Sequence, residues 1–280
     1  MSDAPDTRTP RIAFVGGGNM ARSLIGGLVR QGTAPGRIAV AEPNAALRSA
    51  LAADFGIAVH ADGAAAASDA EVILLAVKPQ VMRPVCEALR PAVQANRPLL
   101  ISIAAGIRLD QLDAWCGGGV AVVRSMPNTP ALIGAGASGL CANERVSETQ
   151  RRAAETVLGA AGVTVWIDDE RNMDVVTALS GSGPAYFFLL VEALEAAAVA
   201  EGLPPEAAHL LATQTALGAG RMLREDGEAP ARLRERVTSP GGTTQAALDR
   251  FAARGLREIV ADAVSAATQR GRELAASSGD

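Results

Sequence analysis

Three short stretches of this 280-residue chain carry residue types whose spacing can do chemistry. The first is GGGNMA, Gly16 to Ala21, with the spacing Gly16-x-Gly18-x-x-Ala21. It follows the apolar run RIAFV (Arg11 to Val15) and opens SLIGGLVRQG, which reads as a helix ending at Gly32. Strand, glycine turn and helix form the setting in which such a spacing holds a dinucleotide. Gly16 permits the tight turn, Gly18 lets a pyrophosphate approach the backbone, and Ala21 is small enough for helix–strand packing. The helix start adds unpaired N–H groups and a positive dipole end. The second stretch is the end of RIAVA at Glu42. Its interval from Gly18 is close to the roughly 20 residues at which an acidic side chain meets the ribose 2′-OH. There a carboxylate would accept from NAD and repel the 2′-phosphate of NADP. A solvated glutamate at a strand end, before Pro43, accounts for it equally well. The third stretch, VTSPGGTT (Val237 to Thr244), puts a proline and two adjacent glycines between Ala- and Leu-rich helical segments. No helix interior favours that composition. On the residues alone it is an interhelical turn with Ser or Thr caps.

Residue counts restrict the chemistry further. Of 26 Lys and Arg only Lys78 is a lysine, and it closes an apolar run at Lys78-Pro79-Gln80. That place, beside the expected cofactor, favours a site role over an ordinary surface lysine. The single tyrosine, Tyr186, is followed four residues later by Leu190, so a Tyr-x-x-x-Lys pair is absent. With only His60 and His209, no metal site is expected. Neither GxSxG nor HExxH occurs. Cys86, Cys116 and Cys141 lack CxxC spacing and read as buried thiols in a reducing cytoplasm. Net charge is −4 with no basic stripe, so nucleic acid is not an expected partner. The longest charge-free stretch, Ser125 to Asn143, is broken by prolines and glycines, and no membrane partner is expected.

The elements that must position these residues alternate through the first half. Apolar runs at Glu71 to Val77, Pro98 to Ile103, Val120 to Val123 and Gly162 to Ile167 continue the series begun by RIAFV and RIAVA. Near-continuous apolarity suits strands buried on both faces. Strand–helix alternation predicts a parallel, doubly wound Rossmann-type sheet, whose ligands sit beyond the carboxyl ends of the strands. After about Asp168 the strand runs cease. Helices are expected from about Pro184 to Glu201, over PPEAAHLLATQTALGAGRMLRED, over APARLRERV, and over two segments after the VTSPGGTT interruption. LSGSGPAY, ahead of the first, reads as a hinge in which Ser180 and Ser182 are only candidate pocket residues. The reading is thus an α/β chain: residues 1–10 a disordered lead, 11–168 the dinucleotide-binding domain, and 169–280 an all-α substrate and dimerisation domain. Its alanine-rich helices are apolar on more than one face, so a homodimer through this domain is expected.

FVGGGNMA, LLAVKPQ, MPNTPA, LSGSGPAYFF and VTSPGGTT together, in this order, resemble the signature blocks of pyrroline-5-carboxylate reductases. The resemblance spans most of the chain. It implies reduction of 1-pyrroline-5-carboxylate to L-proline, the last step of proline biosynthesis, by an NAD(P)H-dependent oxidoreductase. It implies that the cofactor, NADPH by family default, lies against Gly16, Gly17, Gly18, Asn19, Met20 and Ala21, against Ala76, Val77, Lys78 and Pro79, and against Ile103, Ala104 and Ala105. Glu42 stands where many members place a serine suited to the NADP phosphate, so NADPH and NADH both remain open. The substrate is expected on Ser239, Gly241, Gly242, Thr243 and Thr244, its carboxylate on the backbone N–H groups at a helix start and its ring nitrogen near Thr244. Thr244 is then expected to orient the ring or relay a proton, not to act as a strong acid. Asn128 and Thr129 are expected close to the nicotinamide without touching the chemistry. An interlocked homodimer, often assembled further into decamers, is implied as well.

Two other readings compete. A β-hydroxyisobutyrate-type hydroxyacid dehydrogenase would need a lysine in the helical domain, and none follows Lys78. A non-catalytic dinucleotide-binding regulator would keep GGGNMA but have no use for a complete Ser-Pro-Gly-Gly-Thr-Thr loop.

Overall fold

A computed structural model describes residues 9–277. The expected disordered lead therefore lies outside the described residues, apart from Thr9 and Pro10. The chain divides into two compact units, one running to Ser182 and resuming at Ala267, the other Gly183–Ala266.

The first unit is built on eight strands. In chain order it runs β1 (Ile12–Val15), α1 (Asn19–Arg30), β2 (Ile38–Ala41), α2 (Ala45–Phe55), β3 (Ala58–His60), α3 (Gly63–Ala67), β4 (Val72–Leu75), α4 (Met82–Asn96), β5 (Leu99–Ser102), α5 (Leu109–Trp115), β6 (Ala121–Met126), β7 (Gly136–Ala142), α6 (Glu148–Gly159), β8 (Gly162–Trp166) and α7 (Met173–Val176). The sheet order is β3-β2-β1-β4-β5-β6-β7-β8. Every residue of β1, β4 and β5 is buried, which is why these strands are apolar without alternation. Successive side chains feed opposite cores. Ile12 and Phe14 join Leu24, Ile25 and Leu28 of α1 on one face, while Ala13 and Val15 join Met82 and Leu89 of α4 on the other.

The structure differs from the expected parallel sheet in two respects. The sheet is not wholly parallel: β7 runs antiparallel to β6, and β8 is parallel to β7. The chain returns from β6 through a short 3-10 turn, Thr129–Ile133, and not through a crossover helix, so the next strand must reverse. Strand β7 reads GASGLCA, whose glycines hide it from a β-propensity reading. The three-residue edge strand β3 is too short to show a period. The compact units divide after Ser182, while the helical domain was expected from residue 169. The helical turns from Glu170 belong with the sheet: Arg124 of β6, buried, reaches Glu170 Oε1 and Asp174 Oδ1, each at 3.2 Å. From the resumed segment after Ala267, Ala275 is buried against Gly106.

The second unit is helical: α8 (Gly183–Ala200), α9 (Pro205–Glu225), α10 (Pro230–Arg236), α11 (Thr243–Ala253) and the greater part of α12 (Leu256–Ser277). Helices α8 and α9 pack on each other. Yet α8 buries only Gly183, and α9 only Ala208. The helical stretch Glu170–Ala200 is long and apolar enough to cross a membrane, judged by length and composition only.

Candidate functional site

The carboxyl ends of β2, β1, β4 and β5 lie side by side, and the fingerprint residues sit on them. Gly16 leaves β1 at φ +100°, a conformation L side chains avoid. A Cβ there would lie 2.5 Å from the Ala76 carbonyl oxygen. The turn is pinned by Gly16 N–H donating to Ala41 O and Ala76 N–H donating to Val15 O, both at 2.8 Å. On the next strand, Ile103 N–H donates to Leu75 O at 3.3 Å. These bonds bring Gly16–Ala21, Glu42, Ala76–Pro79 and Ile103–Ala105 to one edge. Ala21 is buried against the sheet core. Lys78 is exposed and starts the 3-10 turn Pro79–Val81, while Ala104 is buried and Ala105 exposed.

This edge fits a dinucleotide. Gly18 caps α1 without a side chain, and nothing lies within 4 Å of the position its Cβ would take. The first N–H groups of α1 have no intrahelical partner and face an open approach, as a pyrophosphate requires. Glu42, which is only 9% exposed, accepts from Gly17 N–H at Oε2 and from Asn44 N–H at Oε1, both at 2.9 Å. It is a fixed group, not a solvated one. Arg48, which the sequence reading did not single out, donates from Nη1 to the carbonyl oxygens of Glu42 and Pro43, each at 2.7 Å. Nothing in residue type or spacing marked it; only the fold brings α2 over this turn.

The interruption in the helical unit is a built turn. Gly242 N–H donates to Ser239 O at 3.0 Å, with Pro240 second and Gly241 third at φ +71°. Proline followed by a positive-φ glycine is the type II pattern. Gly242 then caps α11, again with no side chain to cover the helix start. Thr243 and Thr244 are the first helical residues, with Thr243 exposed and Thr244 half-buried. Their N–H groups precede the first intrahelical bond, Ala246 N–H to Gly242 O at 3.1 Å. Such a start suits a carboxylate. A groove of about 600 Å³ between α10, α11 and α12 includes Thr238 and Gln245 in its lining but none of Ser239–Thr244.

LSGSG is helical, not an irregular break. Thr177–Gly181 is a π-helical turn continuous with α7, closed by Ser182 N–H to Thr177 O at 2.8 Å. Asn128 donates from Nδ2 to Ser180 O at 3.0 Å and accepts from Ala137 N–H at 2.9 Å. It thus ties the MPNTP block to this turn. Ser180 is bonded to its own helix, Oγ to Val176 O at 3.0 Å.

Among the described residues the cysteines are poor nucleophiles. All three cysteines are free and buried. A hydrogen bond with Cys116, and then burial, hold the Cys86 thiol far above its ordinary range; burial pushes Cys141 up too. Such thiols are inert at neutral pH. Among the described residues no group of three or more His, Cys, Asp or Glu side chains is placed to hold a metal ion. His209 pairs with Glu195 at 3.0 Å, which gives it a helix-to-helix role.

Comparison with known proteins bears on this arrangement directly. The family described as pyrroline-5-carboxylate reductase dimerisation matches residues 170–274, and that described as NADP oxidoreductase, coenzyme F420-dependent, matches residues 11–106. The pyrroline-5-carboxylate reductase of Pseudomonas aeruginosa is 52% identical over 267 residues, covering 95% of this chain and 97% of that protein. That of Haemophilus influenzae is 46% identical over 264 residues, covering 94% and 97%. Among solved structures, a pyrroline-5-carboxylate reductase from Coxiella burnetii superposes with a TM-score of 0.93 at 42% identity, over 95% of this chain and 98% of that one. A Plasmodium falciparum pyrroline carboxylate reductase with NADP bound gives 0.82 at 28%, over 96% and 99%. Relatives this similar, matched along both compact units, leave one assignment for a glycine turn on β1 joined to a Ser-Pro-Gly-Gly-Thr-Thr helix start: the chain belongs to the pyrroline-5-carboxylate reductase family.

Proposed function

We propose that the protein reduces 1-pyrroline-5-carboxylate to L-proline with NAD(P)H. One observation carries the reading. The Ser239–Thr244 turn, complete and opening α11 without a side-chain cap, occurs in a chain 52% identical to a pyrroline-5-carboxylate reductase. A bound nicotinamide would supply hydride to the carbon of the C=N bond. Gly16, Gly17, Gly18, Asn19, Met20 and Ala21 would hold its diphosphate at the start of α1, with Ala76–Pro79 and Ile103–Ala105 flanking it. The substrate carboxylate takes the N–H groups at the start of α11, where Gly241 and Gly242 let it reach the main chain and Ser239 and Thr243 border it. Thr244 Oγ1 orients the ring nitrogen. If the imine enters protonated, hydride addition gives the neutral amine directly. A neutral imine takes one further proton from water, passed through Thr244.

The protein acts as a homo-oligomer in this reading. Phe187, Phe188, Leu189 and Leu210 are each about two-thirds exposed on α8 and α9, and a second copy covers them. Its place is the cytoplasm, where unpaired thiols persist.

The test is oxidation of NADPH and NADH, side by side, with 1-pyrroline-5-carboxylate, in wild type and Thr244→Ala. Imine-dependent turnover is expected, and loss of ring orientation lowers kcat/KM by about 10–100-fold. Folded protein that oxidises neither cofactor in the presence of the imine sinks the reading.

A further inference from the structure

We propose that Glu42 makes this protein select NADH over NADPH; the inference rests on the cofactor reading above. The carboxylate lies directly under the glycine turn. A Cβ on Gly17 would be 3.2 Å from Glu42 Cβ and 3.3 Å from Cγ. A pyrophosphate on the start of α1 directs the adenosine ribose to the carboxyl end of β2, which is where Glu42 stands. Each oxygen is held by a backbone N–H, Gly17 on one and Asn44 on the other, which resists a swing of the side chain. A carboxylate offers about four acceptor positions, so two such bonds leave acceptor capacity over. A ribose 2′-OH is a donor and can use it. A 2′-phosphate brings close to two negative charges and no donor at neutral pH. It would meet a nearly buried carboxylate held on both oxygens.

Arg48 is the group that competes with this reading, since an arginine near the end of β2 can accommodate a 2′-phosphate. Its geometry argues otherwise. Nη1 is bonded to two backbone carbonyls of the turn, those of Glu42 and Pro43. The guanidinium therefore braces the loop that presents Glu42. Among the described residues no salt bridge to the Glu42 carboxylate forms; its oxygens are met by two backbone N–H groups.

Direct binding tests this without turnover. NADH and NADPH are titrated calorimetrically into the full chain as wild type, Glu42→Gln, Glu42→Ser and Arg48→Ala, with circular dichroism as the check on folding. Wild type is expected to bind NADH at least about tenfold more tightly than NADPH, because like charges placed side by side are costly. Glu42→Ser is expected to bring the two affinities level or invert them, chiefly by tightening NADPH. Glu42→Gln keeps the shape, removes the charge, and moves the ratio the same way. Arg48→Ala is expected to leave NADH ahead. Tighter NADPH binding in wild type, or a ratio unmoved by both Glu42 variants, overturns the proposal while the reductase reading stands. Failure of folded wild type to bind either dinucleotide removes the cofactor reading itself, and the proposal with it.

Discussion

At Gly16 two independent constraints fall on one atom, the Cβ that is missing. The backbone is at φ +100°, and the carbonyl oxygen of Ala76 sits 2.5 Å from where that atom would be. Gly16→Ala must shift β1 or β4 at their carboxyl ends, so stability should fall by about 1–3 kcal/mol as for other overpacked sites. Dinucleotide affinity should fall with it. Denaturant unfolding and calorimetric titration read the two effects separately, and unchanged cofactor affinity would mean that this turn is not the binding element. The thiols make the opposite kind of prediction, one of inertness. Cys86 is held protonated by its hydrogen bond to Cys116 and by burial, and Cys141 by burial. A thiol-specific disulfide reagent at pH 8 should find none of them in the native protein and all of them after unfolding. Rapid reaction of native thiol would contradict their burial. The sign of the linked pH effect follows: the folded state keeps protons that the unfolded thiols lose, so this contribution to stability is intact below the ordinary thiol pKa and declines as pH rises above it.

Between elements, the first unit has a buried polar tie in the fork of Arg124. One β6 side chain, 5% exposed, reaches Glu170 and Asp174 on the helical turns beyond β8, and Glu170 also accepts Leu109 N–H at 2.8 Å. Removing the cation leaves two carboxylates facing each other in a partly dry site. Arg124→Ala should cost about 3 kcal/mol, the lower end for a broken buried pair, because the carboxylates keep some exposure. Arg124→Lys should recover part of it, since an ammonium cannot address both acids with a planar fork. Equal stabilities for all three proteins would show the network to be idle. No reading of the sequence pairs residue 124 with 170 and 174, for such ties depend on the tertiary path. Much else was legible. The apolar runs at 11–15, 37–41, 71–77, 98–103 and 162–167 contain β1, β2, β4, β5 and β8, because burial on both faces leaves a compositional mark. Helices α8 and α9 were legible from Pro184 and from Pro204-Pro205 at their starts, and α8 also from Gly202 after its end. Strand β7 was not, since glycines chosen for close approach, such as Gly139 against Val176, carry no β signal. The π turn was not, since nothing in LSGSG separates an i→i+5 turn from a break. The candidate site divides in the same way: its glycines announce themselves by spacing, while the anchoring of Glu42 and the bracing by Arg48 exist only once β1, β2 and α2 are assembled.

At the scale of the whole molecule, the surface of α8 is the feature that one chain does not explain. Phe187 and Phe188 are 66% and 67% exposed, Leu189 is 65%, and Leu210 on the neighbouring α9 is 66%. A helix apolar all round belongs in an interior or in a membrane. The stretch Glu170–Ala200 meets the length and composition of a membrane span, yet the dimerisation match at 170–274 covers the same residues. A second copy of the chain accounts for both facts. In a two-fold dimer each interface residue occurs twice, so a single substitution acts on both sides. Burying one phenylalanine contributes about 1.5–3 kcal/mol. Phe188→Asp should therefore raise the dimer dissociation constant by at least about 100-fold, which corresponds to roughly 3 kcal/mol. Light scattering coupled to size exclusion would show wild type as a dimer or larger, and Phe188→Asp shifted towards the monomer at micromolar concentration. The melting temperature of wild type should rise with protein concentration, because association stabilises by mass action, and the variant's should depend on it less. If wild type instead remains monomeric in buffer and floats with lipid vesicles, the apolar face belongs to a bilayer and the dimer is wrong. If the variant assembles as wild type does, the interface lies elsewhere than on α8.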